Sequence, residues 1–149
     1  MLVTCDKTRL DVPLIHDFLS RHSSWAKGIP LAIVQRSIEH SLCFGGFLGQ
    51  RQIAFARVIS DRATFANLVD VFVVPEQRGN GFGRRLVQAV LAHPDLQGLR
   101  RFTLATADAH GLYAPFGFDA PHLPQTLMER YRPSAYCGSS QGDGDEVGI

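Results

Sequence analysis

The sequence predicts a single α+β domain in which helices pack against one sheet. Three observations lead there. Apolar patterns of strand and helix period follow one another in the order β-α-α-β-β-β-α-β-α-β. The stretch VDVFVVPEQRGNGFGRRLVQAVL, residues 69–91, reads as a buried strand, a glycine-rich turn and an amphipathic helix, and the other elements are organised around it. A chain of 149 residues with 45% hydrophobic content is long enough for one core.

Residues 2–5, LVTC, are a short apolar run and the first strand. Thr8 or Asp11 can cap a helix reaching about His22, with Pro13 in its first turn and Leu14, Ile15, Phe18 and Leu19 on one face. Residues 23–29, SSWAKGI, form a loop carrying the lone Trp25. Pro30 opens a second helix over residues 31–40, apolar at Leu31, Ile33, Val34 and Ile38. Residues 41–49 and 50–60 are two strands joined near Gly49-Gln50-Arg51, and Asp61-Arg62 begins the turn into the central strand at 69–74. Pro75 breaks that strand. After the glycine turn at 78–83 the helix buries Leu86, Val87, Val90 and Leu91, and His93-Pro94-Asp95 with Gly98 ends it. RFTLAT, residues 101–106, is a strand, and residues 107–114 are a short helix running into Pro115. Residues 126–131 are expected as a last strand, with room for one further strand at 118–122. The domain is expected to span residues 1–137. The polar tail GSSQGDGDEVGI, residues 138–149, is expected to be disordered.

Charge and composition exclude several classes. A net charge of +1 and the lack of basic runs argue against nucleic acid as a partner and against attraction to a membrane surface. The start MLVTCDKTRL has no signal-peptide apolar region, and no apolar run reaches membrane-spanning length. Cys5, Cys43 and Cys137 are far apart with neither disulfide-framework nor zinc spacing, and no metal is expected at them or at the scattered histidines. A reducing, cytoplasmic setting is the expectation.

The glycine turn carries the chemistry. Gly79, Gly81 and Gly83 let the backbone turn sharply and approach a ligand closely. The helix that follows offers unpaired N–H groups and a positive dipole end, suited to phosphate. Arg84 and Arg85 sit in its first turn, where cations are disfavoured by about 0.3–1 kcal/mol each, and Arg78 precedes the turn. Three arginines around a helix N-terminus point to an anion, and a polyphosphate fits. A nucleotide-triphosphate loop is disfavoured because Gly83 is followed by Arg84-Arg85 instead of Lys and Ser or Thr. The dinucleotide fingerprint is disfavoured because the spacing is G-x-G-x-G and no acidic residue stands near 99–103.

The pattern R-x-x-G-x-G, as Arg78, Gly81 and Gly83, closely resembles the acyl-CoA-binding turn of the GNAT (GCN5-related) N-acetyltransferase family. The segment LYAPFGF, residues 112–118, looks like that family's L-Y-x-x-x-G-F. The likeness is close over residues 69–118 and loose over the whole chain. It implies an α/β/α sandwich with a mixed, mostly antiparallel sheet whose central strand splays to admit the pantetheine arm of acetyl-CoA. It also implies that Arg78, Gly79, Asn80, Gly81, Phe82, Gly83 and Arg84 hold the pyrophosphate, and that Phe72 and Val73 line the arm. An oxyanion-binding N–H is implied close to Val73.

Acetyl transfer to an amine requires a neutral nucleophile, an oxyanion donor and a proton for the departing thiolate. By the resemblance, Tyr113 is the thiol-protonating tyrosine. Thr106 stands where many relatives have Asn and can supply a hydroxyl to the CoA arm. Asp70, a carboxylate inside an apolar run, is either a general base or a cap for a neighbouring backbone group. His110, one helical turn before Tyr113, is a second base candidate, and water can serve instead. Trp25 lies in the loop that borders the acceptor site in the family. The function expected is an acetyl-CoA-dependent N-acetyltransferase acting on a primary amine of a small molecule or peptide by direct transfer in a ternary complex, as a monomer or homodimer. The alternative is a non-catalytic acyl-CoA-binding regulatory module.

Overall fold

Asp11 starts the first helix and ties it to the sheet. Its carboxylate accepts from Leu14 N–H at 3.0 Å, and its own N–H donates to the buried Gln52 side chain at 2.7 Å. In the computed structural model, which describes residues 1–137, the strands are β1 (Leu2–Thr4), β2 (Leu42–Leu48), β3 (Arg51–Ser60), β4 (Phe65–Val73) and β5 (Arg101–Leu104). The helices are α1 (Val12–Asp17), α2 (Leu31–Glu39), α3 (Phe82–Ala92) and the single turn α4 (His110–Tyr113). The tail expected to be disordered, residues 138–149, lies outside the described residues.

The five strands form one sheet in chain order, antiparallel from β1 to β4 and parallel between β4 and β5. This is the mixed, mostly antiparallel sheet that the motifs imply. Phe72 and Val73, successive residues of β4, point to opposite faces. Phe72 stacks on Phe18, just beyond α1, with ring centroids 3.9 Å apart. The Val73 side chain lies beside Gly83 of α3. The two helices therefore cover opposite faces, and the core between layers holds Ile15, Val34, Phe44, Phe55, Leu86 and Val90, all buried.

Four elements differ from the sequence-based expectation. The first helix does not run regularly to His22: after Asp17 it widens by one residue over Phe18–His22, and Ser23 N–H donates to Phe18 C=O at 2.9 Å. The widened turn seats both Phe18 and Leu19 in the core. The central strand starts at Phe65, four residues early, because Phe65 pairs with β5 and Ala66–Leu68 pair with both β3 and β5. Residues 126–131 form no strand. Pro124–Thr126 is instead a 3-10 turn, and residues 127–132 carry no regular structure. The further strand at 118–122 is absent as well. Strand-like composition there meets no neighbour: residues 119–135 are exposed throughout, and β5 ends the sheet.

Cys43 gives the core a pH-dependent element. It is 1% exposed on β2, and burial pushes its thiol up to about 11 from its usual 9.0. Folding favours the neutral thiol, so the unfolded chain loses this proton first as pH rises. The stabilisation is intact below pH 9.0 and declines between 9.0 and about 11. Urea midpoints should fall over that window, and Cys43→Ala should flatten the decline in part while lowering the neutral-pH midpoint. Partial flattening is expected because burial also raises Cys5 and Tyr113.

Candidate active site

A β-bulge shapes the site. Phe55 pairs with Phe72 and Arg57 with Val69, so Asp70 and Val71 oppose the single residue Ala56. Asp70 takes φ +54°, a left-handed conformation that Asp adopts more readily than most residues. Its carboxylate is 8% exposed and engaged at both oxygens. Oδ2 accepts from Arg57 Nε at 2.8 Å, and Oδ1 accepts from the Trp25 indole N–H at 2.9 Å. Arg57 in turn donates to the Ser41 hydroxyl at 3.0 Å. Of the two roles the sequence left open for Asp70, neither matches this geometry fully. The group is a doubly hydrogen-bonded anchor for side chains rather than a backbone cap. Each oxygen thus already accepts one hydrogen bond, one of them from a guanidinium.

Past the bulge, β4 leaves its parallel neighbour. Pairing with β5 ends at Leu68, while β4 continues five residues to Val73. Val74 N–H donates to Ile53 C=O of β3 at 2.8 Å. By the alternation of an antiparallel ladder, the backbone groups of Val73 then face away from β3, toward the gap beyond β5. The Val73 carbonyl is taken by Arg78 Nε at 3.0 Å, and its N–H faces the gap, beside which the described residues place no strand. This opening continues into a cleft of about 1260 Å³ between the Trp25 loop, β4, the glycine turn and the segment after β5.

The glycine turn closes one end of the cleft. Gly79 and Gly81 hold φ +81° and +75°, and a Cβ on either would point into open space. Gly81 caps α3 and accepts from Arg85 N–H at 3.1 Å. Gly83 has ordinary helical geometry, and an added Cβ would meet Leu112 and Val73 at normal contact distance of 3.8–4.0 Å. Neither backbone nor packing demands glycine there, which leaves close approach of a ligand as the physical reason. Phe82 and Arg84 line the cleft, whereas Asn80 lies outside its lining and donates to Gln77 C=O at 3.1 Å, bracing the turn. Arg85 is directed elsewhere, to Met1 C=O at 3.1 Å. The turn is also tied to β3 by the Arg51–Glu76 ion pair.

The opposite wall carries Thr106 and Tyr113. Thr106 Oγ1 accepts from Ala109 N–H at 2.9 Å, which leaves its own proton free to donate. Tyr113 is buried, packs edge-on against Phe118 and borders the cleft. Among the described residues its hydroxyl has no hydrogen-bond partner, and burial raises its pKa above the usual 10.0, keeping the phenol protonated at neutral pH. His110, one turn earlier, is exposed and does not line the cleft. It is the first residue of a one-turn helix, directed to solvent, so the structure does not bring it together with Tyr113.

Sequence reasoning missed Phe18, His22 and Arg57. Phe18 and His22 line the cleft next to Trp25. A helical pattern marks Phe18 only as core, and nothing local announces its stack on Phe72. Arg57 could have been sought: a carboxylate inside an apolar run needs a partner, and β3 carries this arginine among hydrophobic residues.

Known proteins share this fold. The family model of the acetyltransferase (GNAT) family matches residues 12–118. A Gibberella zeae protein named as an acetyltransferase is 31% identical, over 75% of each chain. The crystal structure of a GNAT-family protein from Xanthomonas campestris pv. campestris superposes with a TM-score of 0.90 at 64% identity, covering 92% of this chain and 96% of that one. A Mycobacterium tuberculosis protein solved in complex with CoA shares the fold at a TM-score of 0.62 and 21% identity, over 78% of this chain and 70% of that one.

The Asp70 network is directly testable, because Trp25 is the chain's one tryptophan. Asp70→Ala leaves Arg57 without its partner and should lower the unfolding free energy by about 3–5 kcal/mol. Its Trp25 emission should shift to the red as the indole loses its acceptor. Asp70→Asn, which keeps an oxygen and tolerates the backbone, should fall between. Equal stability of wild type and Asp70→Ala in denaturant titration would show that the pair is not holding the bulge.

Proposed function

The chain belongs to the GNAT family of acetyltransferases, and on that basis we propose that it moves an acetyl group from acetyl-CoA to a primary amine by direct transfer in a ternary complex. One observation carries the proposal. A main-chain N–H at Val73 and a hydroxyl at Tyr113, both without a partner among the described residues, border a single cleft that ends in a glycine-lined helix start.

The residues present fit acetyl-CoA. Gly79, Gly81 and Gly83 leave room where side chains would intrude, and the N–H groups opening α3, with Arg78 and Arg84 nearby, suit the pyrophosphate. The edge of β4 beyond Leu68 offers backbone groups to the amides of the pantetheine arm, in the manner of strand addition. Thr106 adds a donor on the facing wall. The thioester then lies against Val73.

The chemistry follows from these positions. The neutral amine attacks the thioester carbon, and the Val73 N–H stabilises the oxyanion that forms. The carbon–sulfur bond breaks as the amide forms, and the Tyr113 hydroxyl gives its proton to the departing thiolate. The phenolate recovers a proton from solvent, and the proton released by the amine leaves through water in the cleft. Asp70 takes no part in proton transfer. Its engaged carboxylate fixes Trp25 as the wall of the acceptor site, with Phe18 behind it. His110, exposed and away from the cleft, has no step either.

Two measurements test the proposal. Acetyl-CoA at 100 times its dissociation constant should stabilise the wild type by about 2.7 kcal/mol in a thermal-shift assay. Gly81→Glu, folded by circular dichroism, should show no such shift, and a wild type unmoved by saturating acetyl-CoA would end the proposal. In a panel of primary amines assayed by release of free CoA, Tyr113→Phe should lower kcat by about 10²–10⁴ with little change in KM for acetyl-CoA. The wild-type rate should decline only above pH 10.0, where Tyr113 loses its proton, and that descending limb should vanish in Tyr113→Phe.

A further inference from the structure

The two sides of the cleft differ in chemistry. The glycine turn and the segment after β5 bring charge to the lining, with Arg78, Arg84 and Asp108. The side next to Trp25 is largely apolar. Arg57 pairs directly with Val69, so the two share a face of the sheet, the one on which Arg57 meets Asp70 and Asp70 holds Trp25. Asn67, two residues before Val69, lies on that face as well and also lines the cleft. Val69 is the half-buried floor there and Trp25 the wall. The indole keeps 54% of its surface exposed while its N–H is tied down at 2.9 Å. A ring so fixed offers a large apolar face to a ligand with little ordering left to lose.

Hydrogen-bonding capacity on this side is directional. Thr103 donates its hydroxyl proton to Asn67 Oδ1 at 2.9 Å. Asn67 Nδ2 keeps its two N–H groups, and among the described residues neither has a partner. Asn67 stands three strand residues before Asp70, about 10 Å along β4. Free negative charge is missing from this side among the described residues. The carboxylates in the lining belong to Asp70 and Asp108. Asp70 is held by Arg57 and Trp25, and Asp108 stands two residues past Thr106, on the wall assigned to CoA. The His22 imidazole also borders the cleft, but its Nε2 lies 3.6 Å from Asp17, which Arg21 approaches at 3.4 Å. A second ammonium brought to this side would lose its water without gaining a counter-ion. We propose that the acceptor is a monoamine with a flat aromatic body and a hydrogen-bond-accepting group at its far end, selected by Trp25 and Asn67. The amine points to the Val73 amide, the aromatic body lies on the Trp25 ring over Val69, and the accepting oxygen meets Asn67 Nδ2. Polyamines and short alkylamines match neither residue. This specificity rests on the acetyl transfer proposed above.

Trp25, as the one tryptophan, reports binding without turnover. With CoA bound in place of acetyl-CoA, its emission is titrated with para-methoxyphenethylamine, phenethylamine, butylamine and spermidine. Saturable quenching is expected from both aromatic amines, roughly ten-fold tighter for the methoxy compound, and from neither of the others. Asn67→Asp keeps the acceptor for Thr103 but loses the N–H donors, so it should erase the methoxy advantage and admit spermidine. In the CoA-release assay, Trp25→Leu should raise KM for para-methoxyphenethylamine roughly ten-fold and leave KM for acetyl-CoA unchanged. Equal quenching by spermidine, or a methoxy advantage that survives Asn67→Asp, would overturn the proposal. Selective quenching in the absence of any acetyl transfer would uphold this acceptor class and end the transfer reading. Acetyl transfer to butylamine and spermidine, with emission unmoved by the aromatic amines, would overturn the acceptor class and leave transfer standing.

Discussion

The constraint on which the site depends is one aspartate held in a left-handed backbone conformation. That conformation costs about 1–3 kcal/mol for a residue other than glycine. It persists because Asp70 receives a guanidinium on one oxygen and an indole N–H on the other, and hydrogen bonds to charged groups contribute about 1.5–3 kcal/mol each. The extra residue re-aims β4. Before the bulge the strand is paired on both sides, and after it only β3 remains a partner. A fully paired β4 would bury its backbone donors in the ladder and have none to offer a substrate. The bulge thus converts an interior strand into an edge at its C-terminal end, where the glycine turn begins.

The same ion pair links three further segments to β4. Arg57 belongs to β3, Ser41 to the start of β2, and Trp25 to the loop between the helices of one face. Trp25 remains 54% exposed although its N–H is bound to a nearly buried carboxylate. Its ring is therefore fixed at one edge and open over the cleft. The widened helical turn at Phe18–His22 serves the same wall from behind, since it brings Phe18 flat against Phe72. A rigid aromatic wall on one side and Tyr113 on the other border this end of the cleft.

How much of this was legible in the sequence follows from the range of the forces involved. Local signals carried the glycine turn, the α3 face of Leu86, Val87 and Val90, Asp11 as one of two candidate caps, and the strand pair joined at Gly49, all of which depend on neighbours a few residues apart. Asp70 was recognisable as anomalous because a lone carboxylate breaks an apolar run. Of its partners, Arg57, 13 residues away, was marked only as a charge among hydrophobic residues, and Trp25, 45 residues away, not at all. The widened turn after Asp17 was hidden for a different reason: a helical repeat of 3.6 and one with an inserted residue share the same apolar positions over so short a stretch. Residues 126–131 show the converse failure, since β composition describes a preference for a pleated, half-buried surface and says nothing of whether a neighbour is there to provide it.

The hydrogen bond from Arg78 to the Val73 carbonyl closes the chain on itself between the end of β4 and the glycine turn. On the proposed chemistry, those two points handle opposite ends of one long substrate, the pyrophosphate and the thioester. Fastened together, they act as a gauge of fixed length. A pantetheine arm that is shorter or longer than the gauge can satisfy one end only, so the nucleotide portion of the molecule, which undergoes no chemistry, still decides whether the acyl carbon arrives at the right amide.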